Sequence, residues 1–280
     1  MAQHDFLNVL LAPKRAAIMG IINTTPDSFS DGGQFKGQDQ ALKHGLDLLS
    51  QGADILDVGG ESTRPGADRV SEQQELDRVI PVIQALRRET DAPISIDTYK
   101  PAVMTAAVAS GANFVNDVKA LSTAGALSAA SSAKVPVCLM HMQGTPDSMQ
   151  RAPQYQNVID EVVDYLKSRV AECVAAGIPK QSIVVDPGIG FGKKLEHNLL
   201  LLNSIDVIEE KVGCRVLIGV SRKSMINDIL GRPVEERLAA SIGLATQAAI
   251  NGAAIVRVHD VRATHDAIRC AEAVRNSKIN

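Results

Sequence analysis

The sequence contains no tryptophan, and only 3 tyrosines and 5 phenylalanines among its 280 residues. With so few aromatic rings, a net charge of -3 and no basic stripe, it has neither stacking platforms nor a phosphate-tracking surface, so no nucleic-acid partner is expected. No apolar run approaches the roughly 18 residues that a membrane-spanning helix needs, so no membrane partner is expected either. The opening Met1-Ala2-Gln3-His4-Asp5 lacks the charged and apolar regions of a secretion signal, which makes the cytoplasm the expected location. Cysteine is sparse: Cys138, Cys173, Cys214 and Cys270 lie far apart without paired spacing. That excludes a disulfide framework or a cysteine zinc site and predicts reduced, mostly buried thiols. A His-X-His pair at the first strand, the mark of metal-dependent hydrolase barrels, is also missing; Asn23 stands there.

What the chain does have is a recurring unit. The composition, 45% hydrophobic and 22% charged, is that of a soluble globular protein. Eight short apolar runs each end in chemically capable residues. The tips are Asn23, Gly59-Gly60-Glu61-Ser62-Thr63-Arg64, Asp97, Asn116-Asp117, His141, Asp186, Ser221-Arg222-Lys223-Ser224 and Arg257-Val258-His259. Between them lie segments of helical periodicity: Gln40 to Gln51, a helix opening at Ser71, Pro101 to Ser110, Thr123 to Ala133, Tyr155 to Ala176, Leu195 to Lys211, Pro233 to Asn251 and Val261 to Ser277. Strand and helix alternating eight times without a linker predict an α/β protein with a single (β/α)8 TIM barrel, one domain over residues 1–280 with its core over about 15–277. A doubly wound sheet is the competing architecture. For nucleotide binding it needs a glycine-rich turn after its first strand, where this chain has Asn23-Thr24-Thr25-Pro26-Asp27.

Barrel enzymes place their chemistry at the carboxyl ends of the strands. Two long polar segments, Thr24 to Asp39 and Gly59 to Val70, leave adjacent strands there and read as active-site lids. The tips of strands seven and eight, where barrels often bind phosphate, offer Ser221, Arg222, Lys223, Ser224, Arg257 and His259 as an anion cradle. Asp97, Asn116, Asp186 and Lys223 combine acceptors, an amide and an ammonium, a set that complements the edge of an aminopyrimidinone. Two buried aspartates there need strong hydrogen bonds or a pairing with Lys223. A Mg²⁺ held partly by Asn23 and partly by substrate phosphate suits this oxygen-rich set better than zinc.

At these residues the chain resembles the dihydropteroate synthase family of the bacterial folate pathway. Met19 to Gly33 and Asp57 to Gly66 are similar to the family's two long signatures. Ser95-Ile-Asp-Thr98, Asn116-Asp117, Asp186 to Gly192, Gly219 to Ser224 and Arg257-Val-His259 follow in the family's order. The resemblance implies condensation of (7,8-dihydropterin-6-yl)methyl diphosphate with 4-aminobenzoate. It implies that Asp97, Asn116, Asp186 and Lys223 grip the pterin, with Met140 and Phe191 against its face. Asn23 would hold the diphosphate through Mg²⁺, with Arg257 and His259, while Thr63, Arg64, Pro65, Ser221 and Ser224 line the aminobenzoate side. Asp97, Lys223, Arg257 and His259 would be the catalytic groups. A homodimer and competition by sulfonamides are implied as well. The rival readings are a methyltetrahydrofolate-binding methyltransferase barrel, which has no use for a diphosphate cradle, and a non-catalytic paralogue.

Overall fold

A computed structural model describes residues 7, 15–24, 33–62, 69–144, 149 and 153–277, without the side chains of 33–36. Eight parallel strands, β1 (Ala17–Asn23), β2 (Ile55–Gly59), β3 (Ile94–Asp97), β4 (Phe114–Asp117), β5 (Val137–Met140), β6 (Ile183–Asp186), β7 (Arg215–Gly219) and β8 (Ile255–Val258), close into a barrel in sequence order. Closure comes from β8 pairing with β1, Ala17 opposite Ile255 and Met19 opposite Arg257. This is the expected (β/α)8 barrel.

Side chains on a strand alternate between its two faces, and here the alternation separates two cores. Ala17, Met19, Ile55, Phe114, Cys138, Val184, Leu217 and Ile255 fill the barrel interior, together with Leu7. The residues between them, such as Ile18, Leu56, Ile96, Val115, Val185 and Val256, face outward and pack under the helices. Phe114 is fully buried, and burying such a ring contributes about 1.5–3 kcal/mol. Two residues further along each strand the same inward parity reaches Asp57, Asn116, Asp186 and Arg257, so the apolar interior serves as a floor beneath a polar layer.

The helices follow from local signals. Helix α1 (Gly33–Ser50) is succeeded by α2 (Glu72–Glu89), whose start is closed reciprocally: Ser71 Oγ accepts the Gln74 N–H at 3.2 Å and Gln74 Oε1 accepts the Ser71 N–H at 3.0 Å. Next come α3 (Pro101–Ala109), opened by its proline, α4 (Ala126–Ala133), and α5 (Val158–Ala175), capped by the Asn157 side chain. The chain continues through α6 (Leu195–Asn203), α7 (Ile205–Val212), α8 (Ser224–Leu230), α9 (Leu238–Ile250) and α10 (Val261–Asn276).

Three expectations change. The single helix over Leu195 to Lys211 is broken at Ser204, whose φ of −120° and ψ of 28° are not helical; Asn251 Nδ2 donates to Leu202 O at 2.8 Å beside the break. The first helix begins at Gly33 rather than Gln40, so the segment after β1 is shorter than the sequence pattern suggests. The helix expected from Pro233 starts at Leu238, after a 3-10 turn at Val234–Glu236, and the short α8 lies between it and the β7 tip.

Candidate active site

The carboxyl ends of the strands converge on one guanidinium. Arg257, inward on β8, donates from Nε to Asp57 Oδ2 at 2.6 Å and from Nη2 to Asp97 Oδ2 at 2.7 Å. Asn116 Nδ2 reaches the same Asp57 oxygen at 3.4 Å. Parallel register explains the gathering, since Gly59 lies opposite Asp97 and Asp97 opposite Asn116. Asp57 is fully buried, and its Oδ1 accepts no hydrogen bond from the described residues, which leaves an acceptor for a ligand donor.

The charges are tuned by burial. Burial pushes the Asp97 carboxyl up to about 7, against the pull of Arg257 and with the push of Asp57. Burial likewise raises Asp186, opposed by Lys223 and by the Gly188 N–H, which donates to Asp186 Oδ1 at 2.7 Å. Lys223 is lowered to about 8 by burial, with Asp186 opposing and Arg257 adding to the shift. Arg257 is held above its ordinary range by Asp57 and Asp97 in spite of burial.

Most of the residues named from the sequence meet here. Asp97, Asn116, Asp186 and Arg257 share the inward face, and Met140, opposite Asp186 in register, is buried beside them. Both aspartates have the strong partners that their burial calls for: Asp97 accepts from Arg257, and Asp186 accepts the Gly188 N–H and faces the Lys223 charge. Lys223 donates to the Ile189 carbonyl and stands 4.6 Å over the Phe191 ring. Ser221 Oγ lies 2.9 Å from His259 Nδ1 and accepts the His259 N–H at 3.3 Å, which joins the tips of β7 and β8. Ser224 is exposed at the first turn of α8. Arg222 departs from the expected cradle: its guanidinium is spent on Asp260, at 2.6 and 3.2 Å. Thr63, Arg64 and Pro65 lie outside the described residues, as do residues 25–32 of the first loop. At the root of the second loop, Lys100 pairs with both Glu61 and the buried Glu75, and Tyr99 donates to Glu61 Oε1 at 3.2 Å.

Asn23 ends β1 with its side chain exposed at the barrel mouth. Among the described residues no group of three or more His, Cys, Asp or Glu could hold a metal. A single amide oxygen fits Mg²⁺ only as one ligand beside substrate oxygens and water, which is how that ion is commonly held at phosphates.

Two site residues escaped the sequence reading. Asp57 was quoted only as part of a motif, although a charge inside Ile55-Leu56-Asp57-Val58 with the parity of Ile55 was a usable signal. Lys193 offered none: it follows a glycine-rich turn, where a lysine ordinarily points to solvent, yet it is buried.

The profile of the family described as pterin binding enzyme matches residues 19–259. Dihydropteroate synthase of Escherichia coli K12 is 48% identical over 263 residues, 94% of this chain and 93% of that protein. The Yersinia pestis dihydropteroate synthase in a sulfonamide drug complex superposes with a TM-score of 0.90 at 47% identity, covering 95% of this chain and 96% of that one. The Xanthomonas albilineans dihydropteroate synthase with 4-aminobenzoic acid gives a TM-score of 0.89 at 48% identity, covering 94% of both chains. The profile match and these identities over nearly the whole length show that the chain belongs to the dihydropteroate synthase family of pterin binding enzymes.

Proposed function

We propose that Asp97, Asn116, Asp186 and Lys223 grip the pterin of (7,8-dihydropterin-6-yl)methyl diphosphate while Arg257 and His259 hold its diphosphate. The chain is a transferase of folate biosynthesis: it joins the dihydropterin methylene carbon to the amine of 4-aminobenzoate, giving 7,8-dihydropteroate and diphosphate. The observation that carries the residue assignment is the shared inward parity of Asp57, Asp97, Asn116, Asp186 and Arg257 above an apolar floor. Met140 and Phe191 offer apolar surface to the pterin face, and Ser221 and Ser224 line the aminobenzoate side.

The charges favour departure of diphosphate before attack. The C–O bond to the methylene carbon breaks with its electron pair leaving on diphosphate, and the electron-rich dihydropterin carries the resulting positive character. The Asp97 carboxylate stabilises that cation, and Arg257 and His259 meet the anion. The aryl amine then attacks as a free nucleophile and loses its proton afterwards, so no strong base is required. When bound, Mg²⁺ at Asn23 would neutralise further charge on the leaving group. Asp97→Asn should lose kcat more than pterin affinity; equal losses would reduce Asp97 to a binding group.

The experiment is condensation of the pterin diphosphate with isotopically labelled 4-aminobenzoate, with and without Mg²⁺, and diphosphate release scored in the absence of the amine. Release without amine supports departure first, and its absence favours concerted displacement. No helix among the described residues is long and apolar enough to cross a membrane. Leu238 and Val274, exposed on α9 and α10, supply apolar surface for a homodimer, and sedimentation would test that state.

A further inference from the structure

The turn Gly188 to Gly192, which follows β6, is clamped from beneath by a buried lysine. Gly188 and Gly192 have φ of +71° and +63°. A Cβ on either would stand 1.8 Å from His141 O or 2.4 Å from Gln143 O, so the turn lies directly on the backbone that follows β5. Lys193 sends its Nζ back into this contact, donating to His141 Nδ1 at 2.9 Å, to Phe191 O at 3.0 Å and more weakly to His141 O at 3.5 Å. Three acceptors match the three N–H bonds of an ammonium, and they oppose the burial that lowers Lys193 to about 7. With the lysine donating, His141 Nδ1 carries the lone pair and the ring proton sits on Nε2. Burial and Lys193 lower the His141 pKa to about 3, which keeps that lone pair available. Tyr165 stands edge-on to the His141 ring at 5.0 Å, and Tyr155 donates to Gly192 O at 2.8 Å. The same turn presents the Ile189 carbonyl and the Phe191 ring to Lys223.

We propose that Lys193, anchored on His141, is a positioning residue for the pterin subsite, fixing the turn that sets the Lys223 ammonium and the Phe191 ring. This rests on the reading of Lys223 and Phe191 as pterin contacts. Without Nζ, two buried acceptors on His141 and the part-buried Phe191 carbonyl lose this donor, and the turn loses its tie to β5. The Ile189 carbonyl then no longer holds Lys223 at one point, and a displacement of a fraction of an ångström reaches the ligand. The aminobenzoate side shares the β7 tip with Lys223 through Ser221 and Ser224, but the acceptors that Lys193 meets belong to His141 and Phe191.

Lys193→Met keeps the hydrocarbon stem and removes every donor. Calorimetric binding of the dihydropterin diphosphate, the KM for aminobenzoate at saturating pterin, and the thermal unfolding midpoint are measured together. Pterin affinity should fall about ten- to hundredfold while the aminobenzoate KM holds. His141→Asn, whose amide oxygen restores an acceptor near Nδ1, should bind pterin close to wild type; His141→Phe, similar in shape without an acceptor, should behave like Lys193→Met. Unchanged pterin affinity in Lys193→Met overturns the assignment, and so do parallel losses for both substrates, the signature of general loosening. If Lys193→Met does not fold, His141→Phe decides by the same two criteria. Lys223→Ala separates the layers. If it weakens pterin binding and Lys193→Met does not, only the positioning role fails; if it leaves binding intact, the pterin reading fails and this inference with it.

Discussion

Asp97 and Lys223 are both held near neutrality in opposite senses, and this sets a pH window for the enzyme. The carboxyl, raised to about 7 by burial, must be ionised to stabilise a cation, and the ammonium, lowered to about 8 by burial, must stay protonated to grip the pterin. The kcat/KM for the pterin diphosphate should therefore rise as pH passes about 7 and fall as it passes about 8. A pH–rate profile checks this, and Asp97→Asn should abolish the acidic limb and keep the basic one. The stability consequence has its own sign. A carboxyl raised in the folded state contributes stability that is full below its unfolded value and is lost as pH rises through about 7. Asp97→Asn should accordingly unfold at a higher temperature than wild type at pH 8, with the advantage gone near pH 4.

At the scale of elements, the carboxyl-end turns carry precision and the helix caps carry stability, and the two can be separated. Gly188→Ala places a methyl against a carbonyl 1.8 Å away in a left-handed conformation. The backbone strain alone costs about 1–3 kcal/mol, so thermal unfolding should drop by several degrees, with pterin affinity falling alongside it. Ser71→Ala removes an exposed cap where the loop after β2 enters α2, outside the polar layer of the strand tips. It should cost about 1 kcal/mol in denaturant unfolding and leave the pterin KM where it was. The eight strands and the major helices were legible because apolar period and caps are local signals. The break at Ser204 was not: the Leu202 carbonyl beside it is met by Asn251, just past the end of α9 and 49 residues away in sequence. Asp97, Asn116, Asp186 and Arg257 were legible from position at strand tips. Which partner each takes was not, because the pairing of Arg257 with Asp57 is fixed by barrel closure rather than by neighbours in sequence. Lys193 and His141 were hidden for the same reason, since their meeting needs β5 and β6 side by side.

At the scale of the whole molecule, the site and the core are two storeys of the same eight strands. The interior cluster from Ala17 to Ile255 supports the polar layer without a separate scaffold, so the geometry at the mouth is only as fixed as the ring is closed. The closing pair joins residues more than two hundred positions apart, which makes closure a long-range event in folding. During synthesis Asp57 leaves the ribosome 200 residues before Arg257, a wait of roughly 10–40 s at ordinary elongation rates. Throughout that interval a carboxylate destined for complete burial has no cation to meet it. Stalled nascent chains ending before β8 should be cut readily by protease, and chains carrying α10 beyond the ribosomal exit should resist. The Arg257 bridge thus acts as a timekeeper, holding back the finished active site until the last strand has been made.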